Sequence, residues 1–183
     1  GNDVDRAWMD PSMSYSAALY PVGEDASLSM EQHAKYRRIL DRLQAKAGQR
    51  VLEIGCGWGG FAEMAVEEGL QVTGLTLSPA QLEWARKRVP DADLRLQDYR
   101  DTSEQFDHIV SIEMFEAVGE AYWPAYFATL SRCLAPGARA AIQTITINDG
   151  LFERYRRSTD FIQQYVFPGG MLPSPSRFTA MAT

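Results

Sequence analysis

Apolar residues near the start of the chain recur at the spacing of one helical face. Ser29 with Gln32 has the form of a capping box, which is typical of a helix N-terminus. Gly48 is placed to end the helix, because glycine readily adopts the left-handed conformation found there. The pattern predicts a helix between these two signals, with an apolar face formed by Tyr36, Ile39, Leu40, Leu43 and Ala47.

Beyond this helix, short apolar runs alternate with helical patterns. A helix reaching Gly69 follows the first run, and Ser78 with Pro79 opens a helix after the second. Such alternation predicts a Rossmann-like α/β domain, with a mainly parallel sheet, helices on both faces and ligand sites at the carboxyl ends of the strands. The five predicted strands are Arg50–Ile54, 71–75, Asp93–Leu96, 108–112 and 138–147, and a helix with Trp123, Phe127, Leu130 and Leu134 precedes the last.

The two ends of the chain depart from this alternation. Residues 1–28 contain prolines and scattered aromatics and predict an irregular arm, so the domain itself is placed at residues 29–183. Residues 151–167 form a helical pattern, and a segment rich in proline and glycine follows. No residues remain for a closing pair of strands, and we therefore expect a fragment of a longer protein.

Composition narrows the possible partners. With 183 residues and 45% hydrophobic content, the chain suits one globular domain. A net charge of −6 argues against nucleic acid, which requires a basic surface. Cys56 and Cys133 are too few for a disulfide framework and lack the spacing of a metal site. We expect a cytoplasmic protein with free thiols, no metal and no transmembrane segment.

A glycine-rich loop joins the first predicted strand to the next helix. Residues 51–60 contain four glycines within six positions, and glycine lets the backbone approach a ligand closely. A tight turn that only packs a helix on a strand accounts for one glycine but poorly for four. The four are Gly55, Gly57, Gly59 and Gly60.

The surroundings of this loop favour one ligand over another. Dinucleotide binding calls for an acid about 20 residues further on, and residues 74–78 contain none. Glu53 instead lies just before the loop, where its carboxylate can meet the ammonium of an amino-acid-like ligand. S-adenosylmethionine (SAM) has such an ammonium and no pyrophosphate, so the pattern predicts a SAM site.

The third predicted strand leads at its carboxyl end into Asp98, Tyr99 and Arg100. An acid and an aromatic ring at this position can hydrogen-bond an adenine amino group and stack on its ring. An ordinary solvated turn explains the same residues equally well from spacing alone.

Several further motifs occur in a fixed order along the chain. They are Tyr15-Ser16, the loop at 55–60, residues 74–78 with Gln81, residues 98–101, Met114-Phe115-Glu116 with Val118-Gly119, and residues 167–170 with 172–174. With these motifs the chain resembles the cyclopropane-fatty-acyl-phospholipid synthases and mycolic acid cyclopropane synthases. The resemblance extends from Tyr15 over nearly the whole chain.

The resemblance implies a cofactor, a substrate and a place of action. In these enzymes the double bond of a phospholipid acyl chain attacks the methyl group of SAM at the membrane surface. The basic helix with Arg154, Arg156 and Arg157 could meet lipid headgroups at the inner face of the membrane, or could be a solvated helix face. The implied SAM contacts are Tyr15, Ser16, Gly55, Gly57, Thr76, Gln81 and Tyr99 with Arg100.

The resemblance also implies a bicarbonate ion as the base, held by a Cys, a Glu, a His and a Tyr. This chain matches at Glu116 and Tyr165 but has Ala17 in place of the Cys and Gln143 in place of the His. An amide can donate a hydrogen bond, but it does not change charge near neutral pH as histidine does. The expected product is therefore a cyclopropane or a methyl-branched or methyl-substituted acyl chain.

Alternatives remain open for individual residues and for the whole chain. Glu113 and Glu116 follow an apolar strand, where partial burial can raise a carboxyl pKa enough for base catalysis. Alternatively, they are acids at the start of a helix that interact with its dipole. Tyr165 could belong to the core. Small-molecule N-methyltransferases similar to this family use a His after the Glu, where this chain has Ala117. A SAM-binding protein without catalysis is the third possibility.

Overall fold

A computed structural model of the chain describes residues 28–158 and 169–182. Five parallel strands form one sheet in the order β3-β2-β1-β4-β5. The predicted parallel α/β architecture is confirmed, and the predicted bounds of the first and third strands are the observed ones. The strands are β1 Arg50–Ile54, β2 Gln71–Thr76, β3 Asp93–Leu96, β4 Phe106–Ile112 and β5 Leu134–Gln143.

Helices cover both faces of the sheet, as predicted. The first three pack on one face and the last three on the other. They are α1 Leu28–Leu43, α2 Gly60–Glu67, α3 Pro79–Arg88, α4 Trp123–Cys133, α5 Asp149–Arg156 and α6 Pro175–Ala182.

Successive residues of the central strands belong to different cores, because side chains alternate across a strand. Val51 of β1 is buried against α1, α2 and α3, and its neighbour Leu52 is buried on the opposite face. The second core is built around Phe115, whose ring lies within 6 Å of the rings of Trp123, Tyr126, Phe127 and Phe178. This aromatic cluster fixes the segment that follows β4.

The ends of α1 differ from the prediction. Ser29 lies inside the helix and not at its cap. The helix ends at Leu43, because Gln44 adopts the left-handed conformation with φ of 55° and Ala45 donates a backbone hydrogen bond to Leu40. A Schellman helix end usually has glycine at the left-handed position. Because Gln44 occupies that position here, the sequence contained no signal for the helix end. Ala47, predicted on the helical face, lies beyond the helix.

The end of the described chain contains a helix that the sequence analysis missed. The predicted helix at 151–167 corresponds to α5, which ends at Arg156, and residues 159–168 lie outside the described residues. Ser174 precedes α6 and accepts a backbone hydrogen bond from Phe178 at 2.9 Å. Ser174-Pro175 has the same helix-start pattern as Ser78-Pro79 at α3. The sequence analysis missed it because it assigned this segment to a tail rich in proline and glycine.

Candidate functional site

A pocket of about 750 Å³ opens at the carboxyl edge of the sheet. Strand order reverses between β1 and β4, and ligands of open α/β sheets bind at such a reversal. The pocket is lined by Ile54, Gly55, Leu75, Thr76, Leu77, Ser78, Gln81, Gln97, Asp98, Tyr99, Arg100, Met114, Ala117, Val118, Gly119, Tyr122 and Gly169. We call this the cofactor pocket.

The glycines of the loop have different structural roles. Gly55 lines the pocket with φ of +83°, and a Cβ there would lie 2.9 Å from Cγ of Met114. Gly59 brings α2 close to α3, since a Cβ would lie 3.2 Å from that of Ala85. Gly57 also has a positive φ but faces open space. Gly57 and Gly59 shape the loop without lining the pocket.

A short hydrogen-bonded network fixes two predicted cofactor residues on the pocket wall. The Thr76 hydroxyl donates to Oε1 of Gln81 at 3.0 Å and accepts from the backbone N–H of Ser78 at 3.1 Å. Ser78 caps α3 by accepting from the backbone of Gln81. The cap of the helix and the two polar side chains are therefore positioned together.

Asp98, Tyr99 and Arg100 form a second polar segment of the wall, on a 3-10 turn after β3. Arg100 donates to both carboxylate oxygens of Asp98, at 2.9 and 2.7 Å, and this hydrogen bonding lowers the pKa of Asp98. The ring of Tyr99 packs edge-on against Tyr126 at 5.5 Å. An ionised acid and an oriented aromatic ring thus share this part of the pocket.

Glu53 lies inside the sheet and does not line the pocket. Its side chain is 3% exposed, and its Oε2 has no hydrogen-bond partner within residues 28–158 and 169–182. Burial raises the pKa of Glu53 to about 8. A carboxyl group in this position holds its proton at neutral pH unless a cation approaches it.

Beside the cofactor pocket lies a group of polar side chains from distant parts of the chain: Lys35, Glu113, Glu116 and Gln143, called here the Glu113 cluster. Gln143 donates through Nε2 to Oε1 of Glu113 at 2.9 Å, and Glu113 donates through its backbone N–H to the carbonyl oxygen of Gln143 at 2.8 Å. The structure therefore brings together two predicted catalytic residues, Gln143 and Glu116. Gln143 is hydrogen-bonded to Glu113, and the charge of Glu113 acts on Glu116.

Glu116 is the most deeply buried acid of the cluster, with 2% exposure. Its Oε1 accepts a hydrogen bond from the backbone N–H of Ile145. Burial raises its pKa, the hydrogen bonds oppose this effect, and the charge of Glu113 adds to it. Glu116 and Gln143 do not line the pocket themselves, but Glu116 is adjacent in sequence to Ala117, which does.

Lys35 of α1 is the member of the cluster that the sequence analysis missed. It is 3% exposed, and burial lowers its pKa to about 8 while the charge of Glu113 acts in the opposite direction. A signal was present, because Glu31 and Lys35 occupy one face of α1 four residues apart beside the apolar Tyr36. The apolar pocket residues Leu77, Met114 and Tyr122 were also missed.

Three predicted site residues, Tyr15, Ser16 and Tyr165, lie outside the described residues, as does Ala17. Their roles, and the role of a bicarbonate ion, stay predictions. Across residues 28–158 and 169–182, no group of acids, histidines and cysteines has the arrangement of a metal site. The helices of that part of the chain are too short or too polar to cross a membrane.

Known proteins resemble this chain in sequence. It is 40% identical to a tuberculostearic acid methyltransferase of Mycobacterium tuberculosis over 185 residues, which cover 94% of this chain and 43% of the relative. It is 41% identical to a cyclopropane-fatty-acyl-phospholipid synthase of Escherichia coli, with coverage of 95% and 45%. The chain thus spans less than half the length of these curated relatives.

Solved structures and a family profile agree with these relatives. A cyclopropane synthase of Mycobacterium tuberculosis matches with a TM-score of 0.88 and 28% identity, over 100% of this chain and 69% of that one. A mycolic acid cyclopropane synthase in complex with SAH and CTAB matches with a TM-score of 0.83 and 30% identity, over 99% and 69%. The profile of the family described as mycolic acid cyclopropane synthetase matches residues 1–183. The chain therefore belongs to the mycolic acid cyclopropane synthetase family.

Proposed function

We propose that this chain is the SAM-binding and methyl-transferring part of an enzyme that acts on the double bond of unsaturated fatty acyl chains in phospholipids. The observation that carries the proposal is the cofactor pocket, which gathers Gly55, Thr76, Gln81 and Asp98–Arg100 at the reversal of strand order. Relatives named cyclopropane-fatty-acyl-phospholipid synthase and probable fatty acid methyltransferase support the same reaction class.

The residues of the pocket fit SAM in size and in chemistry. A volume of about 750 Å³ lies within the usual range of cofactor sites. Asp98 and Tyr99 supply an acceptor and a ring face for an adenine, and Thr76 with Gln81 supplies hydroxyl and amide groups for the sugar or base. When bound, SAM supplies an electrophilic methyl group on a sulfonium.

Glu53 supports the assignment of the amino-acid end of SAM. Its buried carboxyl group has a pKa raised to about 8 and lies two residues before Gly55 of the pocket wall. An ammonium that approaches this carboxyl offsets the unfavourable burial of its charge. An ionised Glu53 without a cation beside it is unfavourable, and the ammonium of SAM would remove that cost. This is the physical reason for the sequence prediction that Glu53 is the ammonium partner.

The apolar part of the pocket lining suits an acyl chain. Leu77, Met114, Val118 and Tyr122 present apolar surface, and Leu77 and Tyr122 are more than half exposed. Apolar walls exclude water from a reacting carbon centre and favour a hydrocarbon over an amine substrate. Ala117, which also lines the pocket, offers no imidazole for amine chemistry.

Contact with an anionic membrane surface is part of the proposal. The net charge of −6 repels such a surface as a whole, so a local basic face is needed. Arg154 and Arg157 of the α5 region are exposed, whereas Arg156 is held by Glu120 at 2.6 Å. Charge reversal of Arg154 and Arg157 together would lower cosedimentation with anionic vesicles if this face meets the membrane.

The decisive experiment is a methyl-transfer assay on a full-length form of the protein. Methyl-labelled SAM is incubated with vesicles of unsaturated phospholipid, and the acyl chains are analysed by mass spectrometry. We expect one labelled carbon per modified chain, and no label in saturated phospholipid. Unlabelled acyl chains would refute the proposal. Calorimetric SAM binding without product would indicate a non-catalytic protein, and label in an amine panel an N-methyltransferase.

A further inference from the structure

We propose that Glu113 is the base that removes the proton in the methyl-transfer reaction, held by Gln143 and charge-balanced by Lys35. The inference rests on the proposed function and identifies a catalytic group for it within the chain's own residues. Glu113 directly follows β4 and directly precedes Met114, which lines the cofactor pocket.

The backbone of Glu113 is the first argument. Its φ of 47° lies in the left-handed region, which glycine enters freely and glutamate does not. Within the described residues the other non-glycine residue with a positive φ is Gln44, where the Schellman end of α1 accounts for it. No helix end explains Glu113, and strained backbone of this kind is concentrated at functional sites.

The hydrogen bonds of Glu113 are the second argument. Gln143 holds Oε1 through its side-chain amide at 2.9 Å and accepts the backbone N–H of Glu113 at 2.8 Å. These two contacts fix both the strained backbone and the carboxylate of the same residue. Because an amide does not titrate near neutral pH, Gln143 orients Glu113 without competing for its proton.

The charges around Glu113 are the third argument. The buried Lys35 of α1 supplies an opposite charge that interacts with Glu113 electrostatically, and Glu116 of the turn Phe115–Ala117 supplies a like charge. Burial raises the pKa of Glu116 and so favours its neutral form. Glu113 is thus the acid of the cluster whose charge acts on both Lys35 and Glu116, which places it at the centre of the cluster.

The reaction then balances without a further reactant. The π electrons of the alkene form the new bond to the methyl carbon, and the electrons of the broken carbon–sulfur bond remain on sulfur. The neighbouring chain carbon becomes a cation. Glu113 takes a proton from an adjacent carbon or from the added methyl group, and the electrons of that C–H bond fill the cation as a double bond or a cyclopropane bond. The neutral acid later loses its proton to solvent.

The test uses full-length protein with Glu113→Gln and Glu113→Gly, and Glu67→Gln on the exposed surface of α2 as the matched control. We expect Glu113→Gln to lower the rate of lipid product formation about 100-fold or more. SAM affinity measured by calorimetry should change less than about threefold, and Glu67→Gln should match the wild type. A wild-type rate in Glu113→Gln, or loss of SAM binding in both Glu113 variants, would overturn the proposal.

Chemical rescue separates a base from a structural residue. Glu113→Gly leaves space for a small carboxylate and relieves the backbone, so added formate should restore part of its rate. The amide of Glu113→Gln fills that space, and formate should not restore it. Absence of rescue in Glu113→Gly, or equal stimulation of the wild type by formate or bicarbonate, contradicts the assignment. If the wild type itself forms no labelled lipid, the proposed function is refuted as well. If the wild type is active and either of the two contradicting results is obtained, only the assignment of Glu113 as the base is refuted.

Lys35 is a positioning residue, and its test is a pH profile. Lys35→Met removes the buried cation from the cluster, so the acidic limb of the rate profile should move to higher pH. Lys35→Arg keeps the charge and should leave that limb in place. An unchanged limb in Lys35→Met contradicts the charge-balancing role, even if the overall rate falls.

Discussion

The cofactor pocket and the Glu113 cluster lie side by side at one edge of the sheet, yet they are built in opposite ways. The polar contacts of the pocket join close neighbours in sequence, with Thr76 and Gln81 five positions apart and Asp98 and Arg100 two apart. The cluster joins residues about 30 positions apart, as in Gln143 with Glu113 and Ile145 with Glu116. Local segments thus form the polar wall of the pocket, and long-range packing assembles the cluster.

The two regions also differ in how polar groups are paired. Asp98 has both oxygens bound by Arg100 and remains accessible to the pocket. Glu116 is buried and holds one oxygen, Oε2, without a partner in the part of the chain that the structure describes. Buried polar groups without partners are costly, so they indicate a function or an unseen partner. The pocket should therefore govern SAM affinity, and the cluster should govern the rate of the chemical step.

The largest effect that tests this division is expected from Glu116→Gln. The amide keeps the shape and can still accept from Ile145 through its oxygen, but an NH2 group replaces the buried acceptor Oε2 of the cluster. We expect the turnover rate to fall about 100-fold while the calorimetric SAM affinity is nearly unchanged. A matched loss of SAM affinity would show that the two regions do not work separately.

The next largest effect is a pH dependence of stability due to Glu53. Its carboxyl pKa is raised from 4.5 to about 8 in the folded protein, so the folded state holds a proton that the unfolded state has lost. The stabilisation is complete below about pH 4.5 and is lost as the pH rises through about 8. Between about pH 6 and 8 the free energy of unfolding without SAM should fall by about 2 kcal/mol from this group.

Urea unfolding of the wild type and Glu53→Gln at both pH values measures this contribution. The variant has no titrating group at this position and should lack that part of the pH dependence. Saturating SAM should weaken the dependence in the wild type, because a cation beside Glu53 favours its ionised form. Equal pH slopes in the two proteins would contradict the buried acid as its source.

A smaller effect is expected from Gly55→Ala, compared with Gly57→Ala. Both residues have a positive φ, which costs about 1 kcal/mol for alanine. At Gly55 the new Cβ also meets Met114 at 2.9 Å, whereas Gly57 faces open space. Thermal unfolding should show a loss of about 2 kcal/mol for Gly55→Ala and about 1 kcal/mol for Gly57→Ala. Equal losses would mean that the Met114 contact relaxes without cost.

The smallest expected effect is that of Asp98→Asn on cofactor binding. The substitution removes the charge from an acceptor in the pocket and weakens its bond to Arg100. We expect SAM affinity to fall about tenfold, with turnover at saturating SAM nearly unchanged. Calorimetry and steady-state kinetics together check this, and a drop in turnover without loss of affinity would reverse the role assigned to the pocket.

Sequence patterns predicted this molecule best where the physical signal is local. The alternation of apolar runs and helices predicted five parallel strands, because each run must be buried between covering helices. Ser78-Pro79 predicted the start of α3, because a cap and a fixed φ act within one turn. The same reasoning was wrong at the end of α1, where Gln44 adopts a conformation that its residue type does not signal.

The sequence by itself determined the sheet, the glycine loop and the polar residues that line the cofactor pocket, since these depend on neighbours a few positions apart. Tertiary structure alone decided that the charges of Lys35 and Glu113 interact, that Gln143 is bound to that carboxylate, and that Glu53 is buried just before the loop. The physical reason is distance along the chain. Charges and hydrogen bonds act over a few ångströms in space, and only the packing of α1 against β5, which pairs with β4, brings those side chains within that range.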